Sequence, residues 1–180
     1  MGMESYNFLL FPKNNNVSLT DEGWETFGKE SIFFTDITRI LESKLHFQNY
    51  IPKDMWKTDD TECYYSYNDL SNIVEVQIGS GIKEVEVNEI SVRFAICNPE
   101  GSFEKTIETC RKLAICLDLK VLDMKLHQTL DFGNELQILK SKKSFEKKRN
   151  VFYSTFCVPI GTFNKPLYCA EVINVIKSKN

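Results

Sequence analysis

The chain reads as an α+β fold: a mostly antiparallel sheet with amphipathic helices packed on one face. Three observations predict this. The stretch from Ile90 to Asp123 carries a strand, an amphipathic helix and a second strand in immediate succession. Across the chain the order is strand, helix, three strands, helix, strand, then a mixed tail, which suits helices laid over an antiparallel sheet. A hydrophobic fraction of 42% with 12% aromatic side chains supplies enough apolar surface for a packed core and excludes disorder.

Taken in order, Tyr6 to Phe11 is a short apolar strand, closed by Pro12 and the polar turn Lys13-Asn14-Asn15-Asn16. Thr20-Asp21-Glu22 resembles a helix start for Thr20 to Lys29, which Gly23 and Gly28 weaken. Ser31 or Thr35 then caps a helix with Phe34, Ile37, Ile40, Leu41 and Leu45 on one stripe. Asn49 to Asp60 is loop, broken by Pro52. Cys63 to Tyr67 and Ile73 to Ile78 are strands, and Gly79-Ser80-Gly81 is a turn. Val85 and Val87 extend the strand that continues from Ile90 to Cys97.

In that strand Val92, Phe94 and Ile96 alternate with Arg93, Ala95 and Cys97, the period of two of a half-buried strand. Asn98-Pro99-Glu100-Gly101 ends it and Ser102 is the expected N-cap. Phe103, Ile107, Cys110, Ala114 and Leu117 then fall at helical spacing, with Glu104, Lys105, Glu108, Arg111 and Lys112 on the opposite side. Leu119, Val121 and Leu122 form the exit strand. Met124 to Phe132 is irregular or a short helix, and Glu135 to Arg149 is a polar, lysine-rich helical arm. Val151 to Val158 is expected as a strand. Leu167, Ala170, Ile173 and Ile176 mark a terminal docking helix. At 180 residues this predicts a single domain, residues 1–180, with 133–180 as its mixed helix and strand C-terminal extension.

No apolar run reaches the roughly 20 residues that span a bilayer, and the N-terminus lacks a basic segment before its apolar run, so a cytoplasmic protein is expected. The six cysteines are scattered without a Cys-x-x-Cys pair, which predicts reduced core thiols in place of a zinc site or disulfide framework. Net charge is only −3, yet residues 1–100 hold 17 acidic and 8 basic side chains, whereas residues 140–180 hold 2 and 9.

No phosphate loop, dinucleotide fingerprint or nucleophile elbow is present. The residues assign no catalytic group, no metal site and no cofactor. His46 and His127 are the two histidines; His46 falls at a helix end. Glu84 and Glu86 share one face of an extended segment and could meet a cation or a basic partner. Lys140 to Arg149 is a basic run, but a sequence pI of about 5.5 and a single aromatic residue, Phe145, argue against nucleic acid as the partner. Aromatic and acidic residues crowd one region: Trp56, Asp59, Asp60, Glu62, Tyr64 and Tyr65 form the expected partner-binding surface. The alternative is a small-ligand site or enzyme centred on Cys97, Asp123 and His127 near the ends of the central strands.

The runs Phe94-Ala95-Ile96-Cys97-Asn98-Pro99 and Leu117-Asp118-Leu119-Lys120-Val121-Leu122-Asp123, with Phe103 opening the helix between them, resemble a segment of small bacterial immunity proteins of polymorphic toxin systems. The YNFLLFP strand and the helix after it are similar to that group as well. The resemblance implies a non-enzymatic, stoichiometric inhibitor that binds another protein, such as a basic toxin domain, and it carries over no functional residue. An acidic-fronted domain suits such a partner by charge complementarity.

Overall fold

A computed structural model describes residues 2–52, 63–79 and 86–178. Its centre is an antiparallel sheet built on β1 (Ser5–Pro12), every residue of which is buried. On one side β1 pairs with β10 (Leu119–Asp123), which pairs with β11 (Gln128–Thr129). On the other it pairs with β9 (Ile90–Ala95), followed by β7 (Ile73–Ile78), β6 (Tyr64–Asn68) and β5 (Gln48–Asn49). The first strand of the chain is thus the middle of the sheet. That explains why YNFLLF is apolar at every position but Asn7 and does not alternate.

Register fixes what each face carries. Tyr65, Val76, Val92, Phe8 and Asp123 lie in one row across the strands, and Ile78, Ile90, Leu10 and Val121 in the next. This face is covered by α1 (Phe34–Leu45), α2 (Ser102–Leu117) and α3 (Glu135–Thr155). All five residues of the stripe read in α1 are buried. The opposite face carries Leu9, Phe11 and Leu122, under Val17 and Trp24 of a hairpin, β2 (Asn16–Thr20) with β3 (Gly23–Phe27). Its other row runs Ser66, Glu75, Arg93 and Asn7.

Several expectations are corrected. Thr20 to Lys29 is half of that hairpin and not a helix start, because Val17 and Trp24 are needed over β1 and Gly23 supplies the positive φ of the turn (131°). Neither Ser31 nor Thr35 caps α1. The short strand β4 (Ile32–Phe33) runs straight into the helix, and Phe33 is the N-cap without a side-chain bond. Val87 belongs to β8 (Glu86–Val87), which pairs with β4 and does not prolong β9. Gly101, at φ 97°, is the N-cap of α2; Ser102 is its first residue, buried. The turn Gly79-Ser80-Gly81, along with Glu84 and Val85, lies largely outside the described residues; Glu86 accepts a bond from the Ser31 hydroxyl at 2.6 Å.

The largest difference is Val151 to Val158, which is no strand. α3 continues to Thr155 because Phe152 and Tyr153 follow Phe145 by seven and eight residues and share its buried side. Packing overrides the β-propensity of Val, Phe and Tyr. The helix ends in a Schellman pair: the Val158 N–H bonds the Tyr153 carbonyl at 3.1 Å and the Cys157 N–H that of Ser154 at 3.2 Å, with Cys157 left-handed at φ 53°. The terminal helix is also shorter than expected. A 3-10 turn at Cys169–Glu171 leads into α4 (Val172–Lys177); of the predicted stripe Ile176 is buried, while Cys169 and Val172 take the buried places expected of Ala170 and Ile173.

The arm expected to be solvated is therefore a core element. Phe145 is 5% exposed and stacks on Phe103 at 5.6 Å between centroids, with Phe94 at 5.2 Å and Tyr6 at 5.8 Å. Replacing Phe145 by Ala should cost about 3–5 kcal/mol in urea unfolding, the usual loss for a buried ring. Leu136→Ala, at an exposed position of the same helix, should stay within about 0.5 kcal/mol.

Candidate functional site

The partner surface read from sequence is divided. Trp56, Asp59, Asp60 and Glu62 lie outside the described residues. Tyr65 faces the helices, is 6% exposed and donates its hydroxyl to Glu42 at 3.2 Å. Tyr64 is half-buried on the opposite face, its ring 6.3 Å from that of Tyr50. Alternation thus sends the two tyrosines to different sides of the sheet, one of them into the core.

The alternative ligand site is not brought together. Asp123 is fully buried under the first half of α3. Its Oδ2 accepts from the Tyr6 hydroxyl at 2.8 Å and from the Ser141 hydroxyl, and its Oδ1 accepts from the backbone N–H groups of Lys125 and Leu126 at 2.9 and 3.0 Å. Cys97 is buried beneath the far end of the same helix, where its carbonyl accepts the Tyr153 hydroxyl at 3.4 Å. Ser141 and Tyr153 are about 18 Å apart along α3. His127 is exposed, its ring edge-to-face with that of Trp24 at 5.0 Å between centroids over the opposite face. Among the described residues no three His, Cys, Asp or Glu side chains gather as metal ligands would. No helix of the described residues is long and apolar enough to cross a membrane.

A buried charge that sequence reasoning missed is Glu75, 2% exposed in the apolar run IVEVQI. It accepts from Tyr50, from Arg93 at 3.1 Å and from the Cys169 N–H at 2.8 Å. Burial and the adjacent carboxylate hold the Tyr50 hydroxyl well above its usual range. With a cation and two neutral donors, Glu75 is a satisfied anchor that ties the C-terminal segment to the sheet. Tyr168 adds to it, stacked on Tyr50 at 5.1 Å with its hydroxyl 3.3 Å from that of Ser66.

Two open grooves are built on α3. At 100° per residue its buried side holds Ser141, Phe145 and Phe152, and two flanks stay accessible. On one flank α2 and α3 enclose a groove of about 410 Å³. Phe103, Ile107, Phe132, Ile138 and Leu139 line its apolar part. Its rim is charged, with the Glu104–Lys142 ion pair on one side and Glu108, Arg111 and Glu135 around it. Arg111 bonds the Phe132 carbonyl at 3.2 Å and lies over that ring, so the rim is held in place. Leu139 is 48% exposed and Leu136 beside it 76%. The triplet Leu136, Ile138 and Leu139, at the head of a helix read as polar, was the available signal.

No family model, no curated protein and no solved structure matches this chain.

Thiol accessibility gives a direct check of the site geometry. Cys63, Cys97, Cys110 and Cys169 are buried, and only Cys116 and Cys157 are exposed. Burial pushes the Cys97 thiol up to about 11 and raises those of Cys110 and Cys169. Iodoacetamide on the native protein at pH 8 should modify Cys116 and Cys157 alone, read by peptide mass spectrometry. Fast alkylation of Cys97 would reopen the ligand-site alternative.

Proposed function

We propose that this chain is a non-enzymatic protein-binding module that receives an amphipathic segment of another protein in the groove between α2 and α3. The observation that carries this reading is the groove itself: apolar, open, and edged by fixed charges of both signs. Contiguous exposed apolar surface rimmed by polar groups is how helix-in-groove recognition looks before the partner arrives. Aliphatic and aromatic side chains of the partner would fill the space over Ile107, Ile138 and Leu139, while the rim sets orientation. The resemblance to immunity proteins names one class of partner, a basic toxin domain, which Glu104, Glu108 and Glu135 would help to steer. Toxin neutralisation is the specific form of this reading.

A tagged protein recovered from its source cell alongside a Leu139→Glu variant tests it. The partner should co-purify stoichiometrically with the wild type and be reduced at least about tenfold with the variant, the cost of placing a charge against apolar surface. Equal recovery on a folded variant removes the groove as the contact. A recovered protein whose isolated domain is toxic, and is silenced by this chain, supports the neutralising role.

A further inference from the structure

The other flank of α3 carries a second groove of about 480 Å³, and its chemistry is different. Lys140, Lys143, Lys147 and Lys148 reach into it from the helix, and Lys125 from the turn between β10 and β11. Among the described residues no carboxylate lines it. Among the described residues none of these five lysines is ion-paired: Lys140 donates to the Gln128 amide at 3.2 Å, and Lys148 to the backbone carbonyls of Gly2 and Ser5 at 2.9 and 2.6 Å. The acidic residues of α3 lie elsewhere, Glu135 on the first groove and Glu146 on the side of Lys142.

A helix face that is merely solvated pairs unlike charges at i, i+3 and i+4. Here Lys140, Lys143 and Lys147 stand at those spacings as like charges, which weakens the helix. Lys125 is brought against them by a separate element. Its turn is fixed from below by the Asp123 carboxylate, which binds the Lys125 and Leu126 N–H groups and also holds Ser141 of α3. The same buried group thus sets the distance between the two lysine-bearing walls. This arrangement concentrates positive charge at one groove of a chain whose net charge is −3.

We propose that this groove binds an acidic amphipathic segment of a partner protein. Successive lysines of α3 are separated along the axis by about 4.5 and 6 Å, the rise between glutamates at i, i+3 and i+7 of a helix laid alongside. Leu126 and Val151, the latter 52% exposed, add apolar contacts among the lysine stems that aliphatic residues of such a segment would cover. A nucleic acid fits less well. Among the described residues the groove has no aromatic or arginine side chain on which bases stack, and a phosphodiester backbone would leave Leu126 and Val151 unused. This site lies on the opposite flank from the α2–α3 groove and does not depend on that assignment.

The test is fluorescence anisotropy on the full chain with three labelled probes: a helical peptide bearing glutamates at i, i+3 and i+7 beside leucines, its lysine-substituted counterpart, and an oligo-dT of equal charge. The acidic peptide should bind best, and more tightly at low salt. Lys143→Glu with Lys147→Glu should weaken it about tenfold, and the Gln pair by less, since exposed charge contacts are individually small. Lys29→Glu, outside the groove, should change affinity less than about twofold. Both double variants remove like-charge repulsion and should fold as the wild type does, checked by circular dichroism. Oligo-dT binding above the acidic peptide, equal affinity of wild type and Glu variant, or no binding of the acidic peptide up to its solubility limit would each overturn the proposal.

Discussion

The buried carboxylate of Asp123 is the contact on which the rest of this structure depends. A carboxylate at the end of a central strand, with no exposure, is tolerated only because every side of it is occupied by a donor. Those donors come from three elements: Tyr6 of β1, Ser141 of α3, and the turn that begins β11. One group therefore fixes the sheet, its covering helix and the adjoining turn relative to one another. Phe145, one helical turn on, completes the attachment by inserting among Tyr6, Phe94 and Phe103.

With α3 pinned along that line, its remaining residues are divided by helical period into two open flanks. One flank meets α2 and is apolar at its base; the other meets the β10–β11 turn and is lined with lysines. The same 21-residue helix thus presents two chemically unlike surfaces. Glu75 has the corresponding role on the reverse face, where it holds the C-terminal segment against the sheet. The two buried carboxylates organise the fold from opposite faces, and each is engaged by donors of the chain itself.

Much of the fold was legible. The stripe of α1, the alternation of β9 and the amphipathic α2 follow from local period, and the sheet's antiparallel character from the order of the elements. Less legible was any element whose burial comes from distant chain. Residues 135–149 look solvated because lysines occupy two flanks, and the third flank shows only as Ser141 and Phe145. Val151 to Val158 looks like a strand until Phe152 and Tyr153 are placed seven and eight residues beyond Phe145. Glu75 looks like an ordinary carboxylate in a strand and Asp123 like a ligand-site residue at a strand end, since no local signal tells that their donors lie far along the chain, at Arg93 and Cys169 or at Tyr6 and Ser141. The lysine groove required Lys125, which only the sheet brings to α3. Tyr65, marked as a surface residue for its aromatic neighbours, is buried because strand alternation gives it to the helix side.

Native-state hydrogen exchange measures the central claim, that α3 is docked on the core and is not a solvated arm. The amides from Ser141 to Tyr153 should exchange only through openings close in free energy to those of β1 and β9, since the contacts of Asp123 and Phe145 must break first. Exchange of α3 orders of magnitude faster than that of β1 would contradict the account, and both flanking surfaces would lose the rigid support on which they rest.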